Sequence, residues 1–240
     1  MKNINWINIR LLVLFGVIIF LYSFASFRNS TRNLAASNVV FVEEKQIFIK
    51  QETVNNMLIE NKNDVKTIQK LNLNLNKLER SLNKNPMIEK SEVYVSIDGV
   101  LKAVIKQKTP IARVFDNKGS FYIDYLGSTM PLSDNCTARV PLISGEINNE
   151  NKNEFKQLLQ FVHDDDFLKK NIIGIQIYSN GSLRMLIRDY GLVIDFGKCA
   201  NFESKFNNYK AFYQKASADM TLKKYKKINL IYEHQVVATK

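Results

Sequence analysis

Apolar positions follow this chain in three rhythms. From Leu11 to Phe27 they are continuous, LLVLFGVIIFLYSFASF, with no charge. A helix over this run rises about 1.5 Å per residue and spans roughly 26 Å, a little under the ~30 Å hydrocarbon core of a bilayer. Trp6, Ile7 and Ile9 extend it on the amino side, with Trp6 suited to the interface. The run predicts a membrane anchor. The competing reading is a cleaved signal peptide, with Lys2 and Arg10 as its basic region, Leu11–Leu21 as its apolar stretch and Ser23-Phe24-Ala25 as its cleavage site. The apolar run continues through Phe24 and Phe27 beyond that site, which favours the anchor. Lys2 and Arg10 precede the run and Arg28 and Arg32 follow it, so charge alone leaves the orientation open. Under either reading the remainder is exported.

The second rhythm has steps of three and four. Residues 28–37 (RNSTRNLAAS) are small and polar and read as a linker. Val39–Val42 and Ile47–Ile49 are β-like runs separated by Glu43-Glu44-Lys45-Gln46, and Lys50–Glu60 puts Val54, Met57 and Leu58 on one helical face. A charged loop, Asn61–Lys66, follows. Ile68, Leu71, Leu75, Leu78 and Leu82 then form a stripe that Pro86 ends; Asn74 is the expected N-cap. The stripe is too short for a coiled coil and predicts a helix lying on a sheet.

The third rhythm is alternation. Val93, Val95 and Ile97 alternate with Tyr94 and Ser96, Asp98-Gly99 supplies a tight turn, and Val100–Lys106 returns. Residues 38–108 thus read strand, helix, helix, strand, strand, an α+β layer. Further β-like runs lie at Ile111–Phe115, Phe121–Asp124, Ile172–Tyr178, Leu183–Arg188 and Leu192–Phe196, with turns at Asn117-Lys118-Gly119, Asn180-Gly181 and Tyr190-Gly191. Helices are expected near Asn151–Val162 and Asn201–Ala218. The chain closes with Lys227–Tyr232 and Gln235–Thr239, paired across Glu233-His234. This second part reads as a mostly antiparallel sheet with two helices.

Composition adds little to this picture. Apolar residues make up 45% and charged residues 24%, which excludes a multi-span membrane protein and a disordered chain. The formal charge of +11 raises nucleic acid as a partner. The basic residues are dispersed, however, and no zinc-finger, basic-zipper or RNP-like signature accompanies them, so no nucleic-acid partner is expected. Lys223-Lys224 and Lys226-Lys227 read as a solvated turn, with attraction to anionic membrane or wall polymers as the alternative. Cys136 and Cys199 have no metal spacing and leave either one bridge or two free thiols.

The residues that could carry chemistry do not form a catalytic set. His163 and His234 stand alone, and His163-Asp164-Asp165-Asp166 reads as a helix end followed by a capped short helix, not as a metal site. There is no phosphate loop, nucleophile elbow or activated cysteine. Asp189 and Asp195 read as solvent residues flanking the Leu192–Phe196 strand. No catalytic residue, metal, cofactor or small-molecule substrate is expected.

The ordered motifs resemble the bacterial cell-division family FtsQ/DivIB over nearly the whole chain. One anchor comes first, then the helix Leu75–Asn83, Asn85-Pro86-Met87-Ile88 where the family has His-Pro-x-Val, and the Glu92–Ile97 strand. Asp98-Gly99-Val100-Leu101 resembles the family's turn into the next strand, and Lys106–Ala112 its Glu-x-x-x-Pro-x-Ala signature. Tyr122–Gly127, Val140–Gly145 and Ile228–Tyr232 resemble its Asp-x-x-Gly, Leu-Pro-x-Leu-x-Gly and Val-Asp-Leu-Arg-Tyr steps. Lys106, Asn229 and Ile231 depart from the family's acid, Asp and Arg.

The resemblance implies a cytoplasmic tail at 1–10, a transmembrane helix at 11–27, a linker at 28–37, a POTRA domain at 38–110 and the family's β domain at 111–240. It further implies a non-enzymatic scaffold of the inner membrane and division septum, its amino end cytoplasmic and its bulk periplasmic. Partners so implied are FtsB/DivIC-like and FtsL-like proteins and, indirectly, the septal peptidoglycan synthase FtsW/FtsI. Tyr232 is carried over by motif as a partner contact. Val236 and Val237 join it because a terminal strand is a natural sheet edge, on which an extended segment can add. The rival classes are a secreted or membrane-anchored envelope enzyme and an outer-membrane assembly chaperone. The chaperone is disfavoured because no run of barrel strands follows.

Overall fold

A helix that is apolar on every side needs an apolar solvent, and α1 (Trp6–Ser30) is such a helix. In the computed structural model, which describes residues 6–240 apart from 31, 43–46, 60–64, 71–72, 117–118, 148–151, 190 and 233–234, every described side chain of α1 is exposed. Its 25 residues exceed the charge-free run that predicts it. Residues Ile9–Asn29 are long and apolar enough to cross a membrane. The chain divides between Gln107 and Lys108 into two units.

In the first unit β1 (Ala36–Phe41), α2 (Gln51–Leu58), α3 (Leu75–Asn83), β2 (Ile88–Val95) and β3 (Val100–Gln107) follow in the predicted order. The sheet runs β1-β3-β2, with β1 parallel and β2 antiparallel to the central β3. Alternation along β3 turns Leu101, Ala103 and Ile105 inward, where they are completely buried. Val54 and Leu58 of α2 and Leu78 and Leu82 of α3, each pair four residues apart, join that core. Asn74 caps α3 as expected, its side chain accepting from Lys77 N at 3.0 Å. Gly99 supplies the positive φ (+82°) of the β2–β3 turn.

Four local readings change. Ile47–Ile49 is not a strand: Phe48 and Ile49 are buried in a bend, and their N–H groups donate to the side-chain oxygen of Gln107 at 2.8 and 3.2 Å. Ile97 lies outside β2 and is 93% exposed, because the alternation stops at the turn. Ile68 is buried but precedes α3, just after a short 3-10 turn at Val65–Thr67. Within 28–37, α1 continues to Ser30, Leu34 is buried and β1 begins at Ala36. The stretches Glu43–Gln46 and 61–64, and Leu71, lie outside the described residues.

The second unit holds β4 (Pro110–Asp116), β5 (Gly119–Asp124), β6 (Thr129–Pro131), β7 (Leu142–Ser144), α4 (Lys152–Asp164), α5 (Asp166–Asn171), β8 (Ile172–Ile177), β9 (Leu183–Ile187), β10 (Val193–Gly197), α6 (Phe202–Ala218), β11 (Lys227–Asn229) and β12 (Val237–Thr239). They build one sheet, β12-β11-β10-β9-β8-β7-β4-β5-β6. It is mostly antiparallel; β7 pairs in parallel with β4 and β8, and β10 with β11. Phe155, Leu158 and Val162 of α4 and Phe206 and Tyr209 of α6 pack with Ile143, Ile175, Met185, Ile194 and Ile228 in one core.

β6 and β7 are additions to the sequence reading. Three residues are too few for alternation to register, and their pairing defines them. The connection after β7 is fixed by Gly145, whose φ is +97° and where an added Cβ would sit 2.2 Å from the Ile177 carbonyl oxygen. The pair Asn117-Lys118, Tyr190 and Glu233-His234 lie outside the described residues.

Candidate partner-binding edge

An open sheet has two edges, and here they are built differently. β6 is three residues long and ends in Pro131, which has no N–H to offer a further strand. Its Thr129 carbonyl accepts the Lys108 ammonium at 3.3 Å, and Lys108 is also paired with buried Asp124 at 3.1 Å. A proline and a lysine are devices that close an edge.

β12 carries neither device. It pairs with β11 alone among the described strands, with Asn229 opposite Val237 and Lys227 opposite Thr239. Val237 and Thr239 point to the open face and are exposed, whereas Ala238 lies opposite buried Ile228. Val236, just before the strand, is partly buried against the core. Tyr232 is 55% exposed in the connection between β11 and β12. Of the three residues singled out from the sequence, Tyr232 and Val237 therefore face outward and Val236 inward.

Asp195 of β10 holds this corner in place. Its carboxylate accepts Arg184 Nε of β9 at 2.9 Å and pairs with Lys227 of β11, and its backbone carbonyl accepts Leu230 N at 2.9 Å. Desolvation pushes the Asp195 carboxyl upward, but the hydrogen bonds from Lys227 and Arg184 outweigh it and hold it below the usual aspartate value. The sequence reading of Asp195 as a solvent residue is therefore corrected. Asp189 is exposed, as expected, and accepts the Tyr213 hydroxyl at 3.3 Å.

β11 also stops sooner than the apolar run suggests. The Asn229 side chain accepts Ile231 N at 2.9 Å, a local turn that competes with the ladder and lifts Ile231 and Tyr232 out of the sheet. Ile231 lies over Gly197, where an added Cβ would meet its Cγ1 at 3.2 Å. Half exposed beside Tyr232, Ile231 is a surface apolar residue that sequence reasoning did not select.

The other chemical candidates settle into structural roles. Asp165 caps α5, accepting Phe167 N at 3.1 Å and Leu168 N at 2.9 Å, and pairs with Lys210. Both cysteines are free; burial, aided by Glu154, pushes the Cys199 thiol up to about 11. A cleft of about 460 Å³ between β5 and α4 is lined mainly by apolar groups such as Phe121, Ile123 and Phe155, with Lys152 and Lys156 at its rim. Among the described residues that line it there is no carboxylate or imidazole.

A family model described as FtsQ/DivIB, C-terminal related, matches residues 109–239, more than half of the chain. The chain belongs to the FtsQ/DivIB family. A second model, described as a POTRA-like domain, matches residues 38–106. No curated protein matches the chain. As a member of FtsQ/DivIB the chain is a cell-division protein, and α1 fits its single-pass membrane anchor. Both edges described above belong to the FtsQ/DivIB-related part, and the three-stranded sheet belongs to the POTRA-like part.

Proposed function

We propose that this FtsQ/DivIB protein is a non-enzymatic divisome scaffold that receives an extended segment of an FtsB/DivIC-like partner on β12. Through that partner and an FtsL-like protein it acts on the septal synthase FtsW/FtsI. Segment 11–27 holds it in the inner membrane at the septum, with 1–10 cytoplasmic and the bulk periplasmic. Residues 28–37 serve as linker, 38–110 as POTRA domain and 111–240 as β domain.

The observation that carries this reading is the asymmetry of the two edges. Pro131 and Lys108 close β6, while β12 presents Val237 and Thr239 next to exposed Tyr232. Added strands gain affinity from main-chain hydrogen bonds and selectivity from neighbouring side chains. Ile231 and Tyr232 supply such side chains here.

The test is capture of the FtsB/DivIC-like protein by the full-length chain after co-expression. Val237→Pro removes a ladder donor and is expected to abolish capture. Thr129→Pro, at the closed edge, is expected to leave it intact. Undiminished capture by the Val237→Pro chain, with an unchanged circular dichroism spectrum, would overturn the reading.

A further inference from the structure

Four contacts tie the end of the anchor to one end of the POTRA-like unit. Asn29, the last residue of the membrane-length segment, accepts the Lys70 ammonium at 3.3 Å. Lys70 N donates to Arg32 O at 3.0 Å and Leu34 N to Ile68 O at 2.9 Å. Ala35 N then donates to Gly99 O at 2.9 Å, at the tip of the β2–β3 hairpin. Gly99 confirms the proximity, since a Cβ there would lie 3.6 Å from Asn33 O.

The distance available is therefore short. Between Ser30, where α1 ends, and Ala35 the chain can extend by no more than about 17 Å at ~3.4 Å per residue. The hairpin tip is thereby tethered close to the end of the membrane-length segment. At this tip stands Ile97, 93% exposed, the most exposed large apolar side chain among the described residues. A side chain of this kind at a loop tip makes no contribution to the core of its own unit. The described residues of 28–35, 65–70 and 96–100, segments joined by these bonds, carry Arg28, Arg32, Lys66 and Lys70 and the acid Asp98.

We propose that this end of the POTRA-like unit is a second membrane contact. It rests on the reading of α1 as a membrane anchor. Ile97 enters the boundary between headgroups and acyl chains of the bilayer that holds α1, while Arg28, Arg32, Lys66 and Lys70 meet anionic phospholipid headgroups. An apolar tip in a basic surround is the pattern that interfacial binding uses, and attraction to anionic lipid falls off within a Debye length. The tether of at most about 17 Å, roughly two Debye lengths at physiological salt, lets the tip come inside that distance. The contact fixes the tilt of the POTRA-like unit against the membrane, which a single helix passing through a free linker would leave open.

The chain's one tryptophan, Trp6, makes the test direct. Full-length protein carrying Trp6→Phe and Ile97→Trp is placed in nanodiscs containing phosphatidylglycerol and lipids brominated near the headgroup. The expected result is a blue-shifted emission that the brominated lipids quench. That quenching is lost in phosphatidylcholine alone and after Lys66→Glu with Lys70→Glu. Quenching of Trp6 in the unmodified chain reports the anchor separately. If Trp6 is quenched and position 97 is not, the anchor stands and the second contact is overturned. If Trp6 itself is not quenched, the anchor reading fails and the second contact falls with it. A blue shift at position 97 without quenching assigns the tip to protein contact and also overturns the proposal.

Discussion

Asp195 and Lys227 are paired across the only parallel join in the last four strands, β10 to β11, and Arg184 bonds the same carboxylate from the opposite side. One residue thus links β9, β10 and β11 on the open face, one strand from the edge. Asp195→Asn is expected to loosen this corner. Partly exposed pairs contribute about 0.2–1 kcal/mol each, so the global loss should be near 1 kcal/mol, read as a small fall in denaturation midpoint. Hydrogen exchange should reveal more, with faster opening confined to β11 and β12.

The same carboxylate gives a pH dependence of known sign. Its folded pKa lies below the ordinary aspartate value of 3.8, so its contribution is fully present above that value. It is lost as pH falls through the lowered folded value. Protection of β11 and β12 should therefore decline on acidification below about pH 4 in the native chain. The Asp195→Asn chain should lack that step, and an identical acid profile in both would remove Asp195 as its origin.

Gly145 has no room for a side chain. A Cβ would stand 2.2 Å from the Ile177 carbonyl oxygen, and the φ of +97° is itself unfavourable for other residues. Gly145→Ala is expected to cost roughly 2 kcal/mol or more through backbone displacement and strain. Thermal unfolding of the second unit should report it, with the transition of the first unit unmoved.

How much of this was legible in the sequence depended on range. Periodic features came through, because they need only neighbours in the chain: the stripe of α3 with its Asn74 cap, the inward Leu101, Ala103 and Ile105 of β3, and the Gly99 turn. β6 and β7 did not, since their identity lies in pairing with β5, β4 and β8. Asp195 reads as a solvent residue for the same reason; nothing local announces that Arg184 and Lys227 converge on it. Ile47–Ile49 has the composition of a strand, yet the N–H groups of Phe48 and Ile49 are taken by the Gln107 side chain far along the chain. Motif order points to Tyr232, while its exposure and the inward turn of Val236 depend on the fold.

Tyr232 and Val236 consequently make opposite predictions. Tyr232 is exposed, so Tyr232→Ala should stay within about 0.5 kcal/mol of the parent in stability while weakening capture of the FtsB/DivIC-like partner. Val236 packs on the core, so Val236→Ala should cost about 1 kcal/mol by lost burial, and any loss of capture should follow the loss of folded protein. Chemical denaturation and co-purification of the same two variants separate these cases. Equal stability losses would contradict the placement of the two side chains.

Gln107 offers the sharpest test of the first unit. Its side-chain oxygen accepts Phe48 N at 2.8 Å and Ile49 N at 3.2 Å, pinning a segment 58 residues away to the end of β3. Phe48 and Ile49 are themselves buried, so water cannot replace the acceptor without opening the site. Gln107→Leu keeps much of the volume but leaves two buried donors unsatisfied, at about 1–3 kcal/mol each. Because the donors sit on one short segment, a local rearrangement relieves part of that cost, and a net loss of roughly 2–4 kcal/mol is expected. Gln107→Glu keeps an acceptor in both protonation states, since a protonated carboxyl retains its carbonyl oxygen, and should lose less than Gln107→Leu at neutral and at acidic pH. Denaturation midpoints of the two variants at neutral and acidic pH check both parts. A Gln107→Leu chain as stable as the parent would show that the two bonds contribute nothing to holding Phe48 and Ile49 in the core.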